Sequence, residues 1–163
     1  GVLNKMWKNK KVTMEAKKRL YEGVVVPTAM YGSETWVLDN RQRRRFDVME
    51  MKCLRSMVGV SRREHIRNEV IRRRAGVMQD LSGRVDRAIL RWFGHIERMP
   101  DGRMTKRVYM SEVEGSRPRG RPRTEWLQGS VKRALQCRVP DMTIERARGM
   151  VGDRDSWREF VRM

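Results

Sequence analysis

Four arginines at alternate positions stand out as residues that could bind an anion. They lie in "GSRPRGRPRTEW", residues 115–126, as Arg117, Arg119, Arg121 and Arg123. Arginine forms bidentate hydrogen bonds with phosphate and base edges, and it stacks on bases. The core "PRGRP" resembles an AT-hook, in which prolines keep the backbone extended and Gly120 allows close approach to a narrow A·T minor groove. A stiff connector into the following helix is the alternative, and we expect phosphate contacts from Arg117 and Arg123 rather than base readout by the inner pair.

A second group of basic residues shares one face of a predicted helix over residues 84–99, "RVDRAILRWFGHIERM". Six apolar residues define the opposite, buried face: Val85, Ile89, Trp92, Phe93, Ile96 and Met99. Like charges on one helix face repel each other, so they do not gather there for stability. We interpret the basic face as a solvent-facing surface for phosphate, with an ordinary solvated face as the alternative. Its members are Arg84, Arg87, Arg91, His95 and Arg98.

The sequence contains few residues at the spacing that catalysis or metal binding requires. His65 and His95 could each act as a general base, but the sequence has no Asp-Asp pair and no cluster of carboxylates to hold a catalytic metal. Cys53 and Cys137 are far apart and lack the spacing of zinc ligands. No glycine-rich phosphate loop is present. We therefore predict no catalytic residue, no metal site and no enzyme activity of this chain by itself.

The charge balance points to an anionic partner. The chain of 163 residues has 38 Lys and Arg against 20 Asp and Glu, a net charge of +18. Residues 1–60 carry +7, residues 61–123 carry +9 and residues 124–163 carry +2. After Arg19 the positive charge is almost wholly arginine. This composition favours nucleic acid as the partner, with an acidic protein as an alternative.

The hydrophobic periodicity is helical nearly throughout, which predicts an all-α fold without a sheet. We expect a small helical bundle, then further amphipathic helices and an extended basic linker. The predicted segments are 1–60, a helical pair at 61–100, a linker at 101–123 and C-terminal helices at 124–163, with short helices after Asp141 and Asp153. No stretch is long and apolar enough for a membrane span and no secretory leader is seen, so we expect an intracellular protein, nuclear or else cytoplasmic. The first residue is Gly1, from which we expect a piece of a longer protein.

Local signals predict where the first helix begins and ends. Thr13 is a good helix N-cap. Ala16, Leu20 and Val24 then share one face, which we expect to be buried. Pro27 is expected to bend or end this helix.

Further signals mark the helices that follow. Ser61 and Glu64 have the spacing of a capping box, which predicts a helix that begins there and stops at Gly76. Pro122 is a good first-turn residue and predicts that helix returns there. The helix before Gly59 has six apolar residues on its predicted buried face: Phe46, Met49, Cys53, Leu54, Met57 and Val58.

Five motifs in a fixed order resemble a known family. They are "YGSETWVL" (31–38), "LRSMVGVSRREHIRNEVIRRRAGV" (54–77), "LRWFGHIERM" (90–99), "RPRGRPRTEWLQGSVKRAL" (117–135) and "DRDSWREFV" (153–161). The series covers nearly the whole chain. It resembles the region just downstream of the palm in reverse transcriptases of non-LTR (LINE-type) retrotransposons. The matching positions are Tyr31 to Trp36, Trp92, Gly94, His95, Arg98, Arg119 to Pro122 and Trp126.

The resemblance implies a thumb near residues 13–60 that grips an RNA–DNA or duplex template–primer through its backbone, followed by a basic region. It also implies that the rest of a reverse transcriptase polyprotein is a partner. The aspartates that bind magnesium in the polymerase have no counterpart here. We therefore expect no cofactor in this chain, with Mg²⁺ only at the upstream polymerase site. A stand-alone minor-groove DNA-binding protein with an AT-hook-like arm is the alternative.

Overall fold

The computed structural model describes residues 2–111, 119–120 and 124–163, which form helices and turns without a β-strand. The prediction of an all-α fold is confirmed. None of the described helices is long and apolar enough to cross a membrane. The chain packs as two units: unit 1 comprises Gly1–Tyr31 and Asp39–Arg84, and unit 2 comprises Gly32–Leu38 and Val85–Met163. The two units are defined by which residues pack together. They do not test the four segments 1–60, 61–100, 101–123 and 124–163, which stay a prediction.

Unit 1 is built on one long helix and several short ones. In chain order these are α1 (Val2–Lys8), α2 (Met14–Leu20), a π-helical turn (Tyr21–Val25), α3 (Val26–Ala29), α4 (Asn40–Val58), a 3₁₀ turn (Arg62–Glu64) and α5 (Asn68–Ala75). The next helix, α6 (Leu81–Glu97), contributes its first turn to unit 1 and the remainder to unit 2. The buried core of unit 1 consists of Trp7, Tyr21, Val26, Met51, Leu54, Met57, Ile71, Ala75, Val77 and Leu81.

The first helical stretch changes type before Pro27. Thr13 caps α2 as predicted, because its hydroxyl accepts the Ala16 N–H at 3.2 Å. The expected bend takes the form of the π-helical turn Tyr21–Val25, and helix then continues through Pro27 to Ala29. A proline ring in an α-helix clashes with the carbonyl four residues earlier, here that of Gly23. A wider turn at this point relieves the clash.

A buried carboxylate joins four elements of unit 1. Glu50 on α4 has a relative exposure of 0%. It accepts hydrogen bonds from the Tyr21 hydroxyl at 2.8 Å, from Arg72 Nη2 on α5 at 2.6 Å and from the Leu81 N–H at the start of α6 at 3.1 Å. Burial and the Glu50 charge both raise the pKa of Tyr21, so this hydroxyl stays a donor across the physiological range. The carboxylate is therefore fully compensated by groups from elements distant in sequence.

The predicted apolar face of α2 is buried only in part, at Leu20, which packs against the core of unit 1. Ala16 and Val24 are exposed, whereas Lys17 and Tyr21 are buried. Lys17 is buried because its ammonium donates to the Met57 carbonyl at 3.3 Å. The apolar pattern misled the prediction, since polar side chains with partners occupy part of the buried face.

A buried polar side chain also changes the predicted buried face of α4. Met49, predicted to be buried, is exposed, and Glu50 and Met51 are buried in its place. Cys53 is half-buried and is a free thiol, as is the exposed Cys137 of unit 2. Burial first, and the nearby Glu50 charge second, raise the pKa of Cys53 to about 11.

The predicted helix ends at Gly59 and Gly76 are confirmed, but the predicted capping box does not begin the helix that ends at Gly76. Gly59 and Gly76 adopt left-handed conformations with φ of 72° and 67° and end α4 and α5. The Ser61–Glu64 capping box forms, with the Ser61 N–H donating to Glu64 at 2.6 Å. It caps only the short 3₁₀ turn, and α5 begins later, at Asn68.

Unit 2 contains the rest of α6 and a set of shorter helices. These are a 3₁₀ turn (Ser33–Thr35), α7 (Met104–Met110), a π-helical turn (Trp126–Val131), α8 (Lys132–Gln136), α9 (Ile144–Val151) and α10 (Arg154–Arg162). The described helical stretch begins at Trp126, after the non-helical residues 124–125, and the predicted start at Pro122 lies outside the described residues. The buried core includes the predicted α6 residues Val85, Ile89, Phe93 and Ile96, together with Leu90, Val131, Ala134, Leu135, Met142, Ile144, Ala147, Val151, Trp157, Phe160 and Val161.

Helix α7 lies within the stretch expected to be a linker, and Glu97 anchors it. The Glu97 carboxylate accepts hydrogen bonds from Tyr109 Oη at 2.6 Å, Lys106 Nζ at 3.3 Å and Arg148 Nε on α9 at 2.9 Å. Burial alone would raise the pKa of Glu97, but these hydrogen bonds outweigh it and hold the pKa below its usual value. Helix α7 is therefore attached to α6 and α9 by one ionised side chain.

We predict that Glu50→Ala destabilises the chain by about 3–5 kcal/mol, because it leaves Arg72 without its buried counter-charge. Urea unfolding followed by circular dichroism measures this change. Glu69→Ala is the matched control, since Glu69 is exposed on α5, and it should stay within about 0.5 kcal/mol. Equal effects of the two substitutions would contradict the role given to Glu50.

We predict that Glu97 makes stability fall at low pH. The folded pKa lies below the unfolded value of about 4.3, so the stabilisation is complete above that value and is lost as the pH falls through the folded pKa. Urea unfolding at pH 7 and pH 3 should show a smaller difference for Glu97→Gln than for the wild type. Glu145→Gln, an exposed change on α9, should retain the wild-type difference.

Candidate nucleic-acid interface

Two of the predicted arginines on α6 are engaged within their own units. Arg84 is half-buried, and its Nη2 pairs with Glu22 Oε1 at 3.3 Å inside unit 1. Arg87 is also half-buried, and its Nη2 donates to the carbonyl of Arg162 on α10 at 3.0 Å inside unit 2. Both side chains therefore stabilise local packing.

Arg98 caps another helix. Its Nη1 donates to the Val151 carbonyl at 3.1 Å, at the C-terminal end of α9, where unpaired carbonyls favour a cation. Burial lowers the pKa of Arg98, and the nearby charge of Arg154 lowers it further. The Arg98 side chain is only half-buried, so part of it still reaches the surface.

The expectation of a uniformly solvent-facing basic stripe is therefore wrong. Of its members, only Arg91 and His95 are exposed. The His95 ring lies 5.4 Å from the ring of Trp92, one turn earlier. The stripe is interrupted because Arg84 pairs with Glu22 within unit 1, whereas Arg87 and Arg98 donate to helix-terminal carbonyls within unit 2.

The arginine arm is described only in part. Arg119 and Gly120 are exposed, and Gly120 has a φ of 144°, a conformation that favours glycine. Arg117, Arg121 and Arg123 lie outside the described residues. The prediction that they bind nucleic acid stays a prediction.

The motif "YGSETWVL" is fixed to the start of the C-terminal helices. Trp126 Nε1 donates to the Glu34 carbonyl at 2.9 Å, and Ser130 Oγ donates to the Trp36 carbonyl at 2.7 Å. Gly32 turns the chain into this segment with a φ of 69°. Residues from two of the sequence motifs, about ninety positions apart, thus hold each other in place inside unit 2.

Two other motifs meet in a tight aromatic contact. Gly94 of "LRWFGHIERM" faces the Trp157 indole of "DRDSWREFV", and a Cβ at position 94 would overlap that indole. Trp157 also stacks on Phe160, with ring centroids 5.3 Å apart, and packs on Phe93. These two motifs therefore contribute to the core of unit 2.

Most of the excess charge resides in unit 1. Its sequence has 20 Lys and Arg against 8 Asp and Glu, a net +12, whereas unit 2 has 18 against 12, a net +6. Nine exposed cations on α4 and the stretch after it make no side-chain hydrogen bond or ion pair with any described residue. We call these the unit 1 cation set: Arg41, Arg44, Arg45, Lys52, Arg62, Arg63, Arg67, Arg73 and Arg74.

The members on α4 form one helix face. Arg41, Arg44, Arg45 and Lys52 stand at i, i+3, i+4 and i+11, and the exposed Val48 lies between them. From the first to the last, the helix rises about 16 Å. One strand of a B-form duplex carries about five phosphates over that length.

The remaining members follow α4 on a segment that is fixed to it. Arg55 of α4 donates to the Ile66 carbonyl at 2.8 Å and to Asn68 Oδ1 at 3.0 Å, which holds this segment against the helix. Hydrogen bonds from Ser61, together with the Arg74 charge, lower the pKa of Glu64. The segment therefore displays its cations on a structured backbone.

The sequence analysis predicted an apolar face for the helix before Gly59 but did not consider the basic residues on the other side of that helix, so it missed the unit 1 cation set. The signal was nevertheless present in the spacing of Arg41, Arg44 and Arg45. Among the residues that the structure describes, no group of three His, Cys, Asp or Glu could hold a metal ion.

Comparison with known proteins finds similarity to a protein named for its transposon origin. It is a Caenorhabditis elegans protein named as an uncharacterized transposon-derived protein, 27% identical over 151 residues. The alignment covers 88% of this chain and 53% of that protein, so the chain spans about half the length of this relative. No family model matches the chain, and no solved structure matches it.

We predict that Gly94→Ala destabilises the chain by about 1–3 kcal/mol, because the new methyl group overlaps the Trp157 indole. Gly149→Ala is the matched control. Gly149 also lies in a helix of unit 2, and a Cβ there meets nothing within 4 Å, so alanine should stabilise by up to about 1 kcal/mol. Thermal unfolding of both variants measures the difference, and changes of the same sign would contradict this packing.

Proposed function

We propose that this chain is a nucleic-acid-binding fragment of a transposable-element protein, namely the thumb and downstream region of a LINE-type reverse transcriptase. The observation that carries the proposal is the unit 1 cation set, whose exposed side chains have no hydrogen-bonding partner among the described residues. The ordered sequence motifs and the similarity to a transposon-derived protein support the same origin.

In this function, arginines on α4 contact phosphates of a template–primer duplex along the groove edge. Arginine suits this task because its planar guanidinium binds two phosphate oxygens at once. Such contacts position a duplex without reading its sequence. The α4 face therefore serves to grip RNA–DNA hybrid and duplex DNA alike.

Buried polar contacts prepare α4 for this role. The ends of the helix are fixed by the Asp39 capping box and by Gly59, and its inner face is held by Glu50. The exposed arginines therefore project from a helix whose position is already set. Less conformational entropy is lost when a rigid surface binds than when a loop does.

Catalysis belongs elsewhere in the proposed polyprotein. The chain supplies binding, and the polymerase aspartates with their Mg²⁺ would lie in the upstream part of the same protein. The chain spans about half of its curated relative, which leaves room for further segments. The partners in this proposal are therefore RNA, DNA and the rest of the reverse transcriptase.

We predict that Arg41→Gln, Arg44→Gln and Arg45→Gln together weaken binding and flatten its salt dependence. Each lost phosphate contact reduces the slope of log K against log salt by about 0.9, so the slope should fall by about 2.7. Fluorescence anisotropy across a salt series measures this with an A·T-rich duplex, a G·C-rich duplex and an RNA–DNA hybrid. All three ligands should bind with similar affinity.

The matched control removes three exposed arginines from unit 2, with Arg107→Gln, Arg146→Gln and Arg162→Gln. Its net charge equals that of the α4 variant, so a general charge effect would change both proteins equally and would refute the assigned face. A strong preference for the A·T-rich duplex that survives added salt would instead favour the AT-hook-like arm. Absence of binding by a folded chain at moderate salt would favour an acidic protein partner.

A further inference from the structure

A small cavity in unit 2 has three arginines among its six lining residues. Its volume is about 180 Å³. It opens to solvent beside the C-terminal end of α6, the turn after it and the start of α10. The lining residues are His95, Arg98, Met99, Pro100, Arg103 and Arg154.

The charges around this cavity have the same sign. Three arginines and one histidine are among its lining residues, and no carboxylate is among them. The exposed Arg103 and Arg154 side chains make no hydrogen bond or ion pair with a described residue. Arg98 uses one nitrogen for the Val151 carbonyl, at 3.1 Å, and is held in place by it.

Two of the arginines at this cavity, Arg98 and Arg154, repel each other. The Arg154 charge acts on Arg98 strongly enough to lower the Arg98 pKa beyond the effect of burial. Like charges that share a site repel each other, and an anion between them turns this repulsion into attraction. The backbone around the cavity is well defined, because Arg103 precedes α7 and Arg154 begins α10.

We propose that this cavity is a binding site for a phosphate group, and that it takes the terminal phosphate of a nucleic-acid strand. Guanidinium groups bind phosphate oxygens in bidentate pairs. A terminal phosphate carries nearly two negative charges and has three free oxygens, which matches three arginines. A phosphodiester within a strand has one charge and two free oxygens, so it matches the cavity less well.

The site is independent of the unit 1 cation set. Its residues all belong to unit 2, and the first test uses inorganic phosphate without any nucleic acid. Failure of this proposal would therefore leave the proposed grip on a duplex unaffected. Conversely, loss of duplex binding in the α4 variant would not bear on phosphate binding in the cavity.

The first measurement is a titration of the full chain with inorganic phosphate at constant ionic strength, followed by NMR signals of the His95 ring and the Trp92 indole. Phosphate should shift the His95 signals in a saturable way. The double variant Arg103→Gln and Arg154→Gln should weaken this binding about ten-fold or more. The control is the matched pair Arg146→Gln and Arg162→Gln, which are exposed elsewhere in unit 2 and should retain wild-type affinity.

The second measurement distinguishes the two sources of phosphate. Anisotropy compares one short single strand with a 5′-phosphate, with a 3′-phosphate and with hydroxyl groups at both ends. A terminal phosphate should improve affinity about ten-fold, and the cavity double variant should abolish the improvement. If all strands bind the wild type equally while the double variant weakens all of them, the site takes internal phosphodiesters and the terminal assignment is overturned.

Equal weakening by the cavity variant and the control variant would overturn the site altogether, because it would show that only total charge matters. The same conclusion follows if phosphate shifts exposed arginine signals throughout the chain to the same extent as those of His95. Circular dichroism of each variant confirms that the substitutions leave the helices intact.

Discussion

The burial of one carboxylate sets the arrangement of unit 1. A carboxylate removed from water costs several kcal/mol unless hydrogen bonds and a counter-charge replace its hydration. For Glu50 these come from Tyr21, Arg72 and the Leu81 N–H, which belong to three different elements. Because the requirement cannot be met locally, α4, α5, the π-helical turn and the start of α6 must converge on it. Of the three consecutive arginines on α5, only Arg72 binds Glu50. Arg73 and Arg74 remain exposed.

Local features could be predicted from the sequence, because their causes lie within a few residues. The cap at Thr13, the glycine stops at Gly59 and Gly76 and the helix after Asp153 all follow from short-range geometry. The apolar face of α6 was also predictable, since Val85, Ile89, Phe93 and Ile96 are buried, although α6 also buries Leu90 and Asp86. The burial of Lys17 on α2 and of Glu50 on α4 was not predictable, because their partners lie 40 and 22 to 31 positions away.

The functional residues show the same limit. Arg98 bonds to a carbonyl 53 positions away and Arg84 pairs with a carboxylate 62 positions away, so no local pattern tells whether these side chains are free. The motifs gave a different kind of information. Gly94, Trp126, Ser130 and Trp157 pack or hydrogen-bond within unit 2. These motif residues build the fold of unit 2, while the proposed function rests on exposed charges of unit 1, some within the motif at 54–77 and some on α4 before it.

The two thiols differ in a way that gives the molecule one selective attachment point. The thiolate is the form that reacts with alkylating reagents. Cys53 is half-buried with a pKa of about 11, and hence remains a thiol at neutral pH. Cys137 is exposed at the end of α8 and is not among the residues of the unit 1 cation set or of the phosphate cavity. A maleimide at neutral pH is therefore directed to Cys137, and a dye can be attached to the native chain without removing any residue that either binding proposal uses.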